Sequence, residues 1–372
     1  MTKPLAAALL LLALPQAAHA QTFKSSTGDI KVETVASGLV NPWALAFLPD
    51  GRLLVTERPG RMRIVTPDGK LSPPLGGVPK VFASGQGGLL DVVLDRGFAN
   101  NRTIYFCFAE PERGGGHTAL ARAKLGESQL DDVQVIFHQE GPLSSGGHFG
   151  CRIAQAADNN LFLTTGEHFI DRDEAQKLTS HLGKIVRIAP DGSVPKDNPF
   201  VGRSDAKPEI WSYGHRNMQG AAIHPQTGKL WEHEHGARGG DEVNIPQAGK
   251  NYGWPVISYG VNYDGTPVGS GKSAMPGMEQ PIKYWVPSIA PSGMAFYTGD
   301  LFPTWKGSLL VGALAGQMLV RLSLDGETVT GEERMLQGLR ERIRDVRVGP
   351  DGAIYLVTDN SAGRVLKVVP SK

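Results

Sequence analysis

The 372-residue chain carries 38 basic and 37 acidic side chains, a formal net charge of +1, which leaves no electrostatic case for nucleic acid as a partner. Glycine (47) and proline (26) are abundant and there are 2 cysteines. That composition points to many tight turns between short strands and excludes a disulfide-built scaffold.

The chain opens on Lys3, an apolar run from Leu5 to Leu14, and the small-x-small sequence Ala18-His19-Ala20. This is the pattern of a secretory signal cleaved after Ala20. The run is too short to span a bilayer. The expectation is a periplasmic or secreted protein without stable membrane insertion, with residues 21–372 forming one domain. Cys107 lies in "TIYFCF", which reads as a buried strand, and Cys151 lies far from it in sequence. Two buried free thiols are expected, although pairing stays open in an oxidising compartment.

Short apolar runs bounded by turn residues follow one another from "WALAFLPDGRLLVTE" to "AIYLVTD", and each reads as a strand. Pro-Asp-Gly recurs at 49–51, 67–69, 190–192 and 350–352. Proline presets the first turn angle and glycine accepts positive φ, so each tripeptide is expected to join two strands. Aligning the segments gives a weak repeat whose copies begin near Pro42, Gly87, Gly150, Asn217, Ser292 and Arg344. Six copies predict an all-β, six-bladed β-propeller with four-stranded antiparallel blades. The strand near Val32–Val35 is expected to complete the last blade and close the ring.

A propeller places its ligand site at one mouth of the central channel, where innermost strand ends and loops converge. Five polar clusters could reach it. Gln86 stands between glycines in "SGQGGLLDVVLD". His148 sits among glycines in "SSGGHFGCR", where a substrate could approach a group able to take a proton near neutral pH. Arg216 and Asn217 in "WSYGHRNMQG" form a polar pair, and a fixed guanidinium can hold a carboxylate or an oxyanion. Asp241 and Glu242 follow a glycine-rich turn whose carboxylates and carbonyls suit a hard cation such as calcium. His233 and His235 lack a third ligand at zinc-like spacing. Arg342 and Arg344 in "RERIRDVR" point to one face of an extended strand and imply a polyanionic ligand. Taken alone, each cluster has a plainer reading: a structural histidine, an arginine bonding loop carbonyls, a solvated charged strand. No G-x-G-x-x-G unit opens a βαβ segment and no G-x-S-x-G elbow is present, which disfavours Rossmann cofactors and serine hydrolysis.

The strings "GQGGLLDVVLD", "GHFG", "EIWSYGHRNMQG", "GGDEVNIPQAGKNYGWP", "SGMAFY" and "RIRDVRVGPDG" closely resemble the soluble aldose sugar dehydrogenases of the glucose/sorbosone dehydrogenase family. The resemblance runs from about Val35 to Pro370. It implies a six-bladed propeller using pyrroloquinoline quinone (PQQ) and calcium (Ca2+) to oxidise aldoses to lactones, with electrons passed to an acceptor. It further implies that His148 is the base and that Arg216 stabilises charge on the reduced quinone. Gln86, Arg216, Asn217, Tyr263, Ala313, Leu314, Ala315, Arg342 and Arg344 would meet PQQ. Glu242 and the carbonyl of Tyr252 would form one calcium site, and the carbonyls of Gly236 and Ala237 another that bridges to PQQ.

Three departures stand out. Ala315 replaces a lysine common in the family, Gly147 replaces an acid that often precedes the histidine, and Ala237 replaces a common proline. Glu167 in "TTGEHF" is the candidate to orient His148 in place of that acid. Two other classes remain open: a calcium-dependent lactonase, and a non-catalytic sugar- or protein-binding propeller. The residues do not decide between a monomer and a homodimer.

Overall fold

The computed structural model describes residues 20–142 and 146–371, so nearly all of the expected signal sequence lies outside the described residues. Antiparallel sheets account for almost all regular structure. The first blade contains β3 (Pro42–Phe47), β4 (Leu53–Glu57) and β5 (Arg61–Val65), after β1 (Gln21–Ser25) and β2 (Gly28–Leu39). The second contains β6 (Leu89–Leu94), β7 (Thr103–Glu112), β8 (Gly115–Leu125) and β9 (Leu130–His138). The third contains β10 (Gly150–Gln155), β11 (Leu161–Thr165), β12 (Lys184–Ile188) and β13 (Ile210–Tyr213). The fourth contains β14 (Met218–Ile223), β15 (Leu230–Glu234), β16 (Asp241–Asn244) and β17 (Lys283–Trp285). The fifth contains β18 (Pro291–Phe296), β19 (Leu309–Ala313), β20 (Met318–Asp325) and β21 (Thr328–Met335). The sixth joins β22 (Ile343–Val348), β23 (Ile354–Thr358) and β24 (Gly363–Pro370) to β2 and β1.

The expected six-bladed propeller is present, and each of the six repeat starts falls within two residues of an innermost strand. These inner strands pack neighbour to neighbour around the ring, and β22 meets β3 to close it. The predicted closure also holds, because β2 pairs with β24 and Val32 lies opposite Val368. Blade size departs from a uniform four: the first sheet has three strands and the last has five. In the first blade Leu71 makes only an isolated bridge to Val65. In the last, β1 extends the edge that β2 provides. Pro-Asp-Gly joins strands at 49–51 and 350–352, but at 190–192 it only ends β12, and β13 begins at Ile210.

The cysteines correct the free-thiol expectation. Cys107 on β7 and Cys151 on β10 form a disulfide, and both are fully buried. Their Cα atoms are 5.6 Å apart, within disulfide reach, because the ring sets blade two beside blade three. Among the described residues, no helix is long and apolar enough to cross a membrane.

Candidate active site

Every innermost strand begins with a register irregularity. The shifts lie at Pro42/Ala44, Leu89/Val92, Gly150/Ile153, Met218/Gly220, Pro291/Met294 and Ile343/Asp345. Such bulges bend a strand end and re-aim its side chains. Here they bring the sequence clusters of blades two, three, four and six to one mouth of the channel.

His148 lies two residues before the start of β10 and has φ of 51°, in the left-handed region that non-glycine residues seldom occupy. Gly166 explains how the turn fits: a Cβ there would lie 1.8 Å from the His148 carbonyl oxygen. The His148 main-chain N–H donates to Gln86 Oε1 at 2.9 Å. Its Nδ1–H donates to Glu167 Oε2 at 2.7 Å, and Glu167 also accepts the Phe169 N–H at 2.7 Å. No described residue hydrogen-bonds Nε2. Burial pushes the imidazole below its ordinary pKa, the Glu167 carboxylate opposes that shift, and the Arg216 charge adds to it. Burial alone would raise the Glu167 carboxyl, but the His148 and Arg216 charges and its hydrogen bonds hold it below the usual range. Nδ1 is thus committed to the Glu167 carboxylate, and the lowered pKa favours the neutral form of the imidazole, in which Nε2 can accept a proton.

Arg216 and Asn217 lead into β14. The Arg216 N–H donates to Glu234 Oε2, and its guanidinium donates to the His235 carbonyl at 3.1 Å and to the Tyr263 hydroxyl at 3.3 Å. It lies 5.1 Å from the Trp254 ring centroid. Asn217 Oδ1 accepts from the Gly150 N–H at 3.1 Å, which ties blade four to the His148 turn.

Beside this lies a pocket lined by Gln86, Asn217, Leu314, Arg342 and Arg344. The face-sharing reading of the two arginines holds: Arg342 and Arg344 each place Nη2 3.2 Å from Asp359 Oδ2. Ala313 ends β19 and is fully buried, whereas Ala315 is exposed and its N–H is engaged by the Ile289 carbonyl. Tyr263 is 60% exposed at the rim. Sequence reasoning missed Trp43, Arg58, Gln219 and Asp359, which line the same pocket. Gln219 accepts from Arg344 Nη1 at 3.0 Å. Gln219 lies in the "WSYGHRNMQG" string but is not singled out there, and nothing local marks the other three, because the meeting of all four depends on ring order.

The charges of the pocket suit an anionic ligand. Arg58, Arg342 and Arg344 face it against the single carboxylate of Asp359. Arg344 Nε and Arg216 Nε are buried without an acceptor among the described residues. Burial draws Arg344 down to about 10 despite Asp359, a cost that an anionic ligand would relieve. Alongside it, a small cavity is lined by Glu234, Gly236, Glu242 and Tyr252. Glu234 and Glu242 are register partners across β15 and β16, and burial with the Glu234 charge pushes the Glu242 carboxyl well up. Facing carboxylates among carbonyls are a donor set for a hard cation. Gly236 is held by its N–H to Asp241 Oδ1 at 2.9 Å, and Ala237 bridges to Gly239. His235 Nε2–H donates to the Pro291 carbonyl. Among the described residues, the metal-type side chains that converge are His215, Glu232 and Glu234, a grouping not read from the sequence.

The sequence model for "Glucose / Sorbosone dehydrogenase" matches residues 39–367. The chain is 46% identical to the aldose sugar dehydrogenase YliI of Escherichia coli, over 93% of this chain and 94% of that one. A crystal structure of a glucose dehydrogenase superposes with a TM-score of 0.89 at 50% identity, covering 92% of this chain and 99% of the other. The PQQ-bound aldose sugar dehydrogenase of Streptomyces coelicolor superposes with a TM-score of 0.77 at 32% identity, covering 95% and 99%. With its six-bladed ring and its arginine-lined mouth beside a buried histidine, this chain belongs to the glucose/sorbosone dehydrogenase family.

Proposed function

We propose that this protein oxidises aldose sugars at C1 to lactones, using PQQ and calcium, with His148 as the general base. The observation that carries the proposal is the His148–Glu167 pair at the mouth of an arginine-lined pocket. Nδ1 is committed to a carboxylate, so the proton of the anomeric hydroxyl has Nε2 as its acceptor. When bound, PQQ would supply the two-electron acceptor that oxidation at C1 requires. Arg342 and Arg344 would pair with its carboxylates, and Gln86, Asn217, Leu314, Tyr263 and the Ala313–Ala315 main chain would contact it. Arg216 would stabilise negative charge that develops on the reduced ring. Glu242 with the Tyr252 carbonyl, and the Gly236 and Ala237 carbonyls, would hold calcium. Ala315 carries no charge, so Arg216 would carry that task without a lysine at this position. Electrons would then pass to an external acceptor. The leader pattern read in the first 20 residues would direct the protein to the periplasm or beyond.

A titration decides between this reading and the others. Purified apoprotein is supplied with PQQ and calcium, then with an aldose. The expected result is a quinone absorbance change driven by sugar, together with lactone formation. Hydrolysis of a lactone without quinone would instead establish the lactonase reading, and an absence of both reactions would leave a binding propeller.

A further inference from the structure

Beyond Glu167 the chain leaves β11 through an unusual backbone. His168 and Phe169 both have positive φ, 59° and 66°, a conformation that is unfavourable for such residues and gathers at functional sites. The next main-chain N–H, from Ile170, closes back onto the His168 carbonyl at 2.7 Å. The outcome is that Phe169 turns away from the core: it is 46% exposed, and Ile170 is 63% exposed. Single exposed apolar side chains are ordinary, but this one is held in place. Its N–H is fixed by Glu167. Its ring stands edge-on to the His148 imidazole, with centroids 5.0 Å apart at 76°. Its other neighbour is Tyr263, at 6.0 Å and 30°. Arg172 Nη1 donates to Asn262 Oδ1 at 2.9 Å, which ties the Phe169 loop to the Tyr263 loop. Two loops from neighbouring blades therefore present a preset aromatic surface beside the base, outside the arginine-lined pocket.

We infer that Phe169, with Tyr263 beside it, is an apolar platform for the C–H face of the aldose ring and a determinant of substrate specificity. The inference rests on the dehydrogenase reading above. An anomeric hydroxyl within hydrogen-bond reach of Nε2, about 3 Å, keeps the remainder of the sugar within contact distance of a ring centred 5.0 Å from the imidazole. Aldoses in the pyranose form carry a patch of axial C–H groups on one face. Covering that patch on an aromatic ring removes apolar surface from water and leaves the hydroxyls free for polar partners. Sugars whose C–H groups are interrupted by an axial hydroxyl on that face would pack less well.

The test uses full-length holoenzyme loaded with PQQ and calcium. Phe169→Asn removes the ring and retains a residue that tolerates positive φ, and Phe169→Gly is the second variant should the first not fold. Phe169→Tyr restores the ring. For a favoured aldopyranose, the Asn and Gly variants should raise KM about tenfold. Their kcat should stay within about twofold, with unchanged PQQ affinity and an unchanged acid limb of the pH profile. Phe169→Tyr should return KM to within about twofold of the parent. An unchanged KM in the ring-deleted variants overturns the inference, as does a fall in kcat with a moved acid limb, which would make Phe169 a support for His148 alone. A parent holoenzyme that binds PQQ and oxidises no aldose overturns the underlying reading instead.

Discussion

At the residue scale, the proposed chemistry depends on which nitrogen of His148 is committed. Glu167 holds Nδ1 at 2.7 Å, and burial with Arg216 keeps the ring below its ordinary pKa. A base works only when unprotonated, so activity should be lost as pH falls through the lowered value. The acid limb of kcat/KM should thus lie below the reference value of about 6.5. His148→Ala should abolish sugar oxidation, by at least about 100-fold in kcat, while PQQ remains bound. A variant that retains most of its turnover would dismiss His148 as the base. Glu167→Gln removes the carboxylate that opposes the downward shift. Its acid limb should move to lower pH while kcat falls by about 10- to 100-fold, as read from paired pH profiles; coincident limbs would show that Glu167 does not tune the imidazole. His148 and Arg216 were legible because a histidine among glycines and an Arg-Asn pair are unusual strings. Glu167 was legible only as a candidate, because the contact spans 19 residues and depends on how β10 and β11 pair. Phe169 was not legible, since nothing in its sequence announces a left-handed backbone.

At the scale of elements, the repeated bulge turns six similar strands into a site. Their starts could be read from the sequence, since apolar runs and turn residues recur. The bulges could not, because a register shift is set by pairing with the next strand. β22 shows the consequence. Its shift lies between Ile343 and Asp345, and around it Arg344 faces the pocket while Asp345 faces the channel interior. Arg344 is 9% exposed, shares Asp359 with Arg342 and bonds Gln219. Arg344→Ala should weaken PQQ binding by about 10- to 100-fold, the range for a hydrogen bond to a charged group. The measurement is a cofactor titration followed by absorbance, and unchanged affinity would remove Arg344 from the cofactor site. Arg342, more exposed and paired with the same carboxylate, should cost less when replaced.

At the scale of the whole molecule, the ring is held by links between blades. The Cys107–Cys151 disulfide closes a sequence separation of 44 residues between blades two and three. Chain-entropy arguments put its contribution at about 4 kcal/mol, so the Cys107→Ser/Cys151→Ser protein should show a lower denaturant midpoint by a matching amount. A larger set of links fills the channel. Arg152 lies 2.9 Å from Asp345 and 3.3 Å from Asp91. Arg347 lies 2.7 Å from Asp91 and 2.8 Å from Asp345. Arg152 also donates to the carbonyls of Gln219 at 2.7 Å and Arg344 at 3.1 Å, and its guanidinium lies 4.0 Å from the Trp43 ring centroid. One side chain on β10 thus reaches strands of blades one, two, four and six. "FGCR" and "RIRDVR" gave no sign of this square, because its corners meet only when the ring closes. The two aspartates have 0% and 1% exposure, so removing one guanidinium leaves buried negative charge short of a partner. Arg152→Met should therefore cost about 3–5 kcal/mol in unfolding free energy. It should also weaken PQQ binding, because the Arg344 and Gln219 main chains lose their anchor. Adding Asp345→Asn should recover part of the stability, since it removes one of the stranded charges. Urea denaturation of the three proteins reads both effects. A single variant with the parent's midpoint, or a double variant no more stable than the single, would show that the square does not hold the blades together.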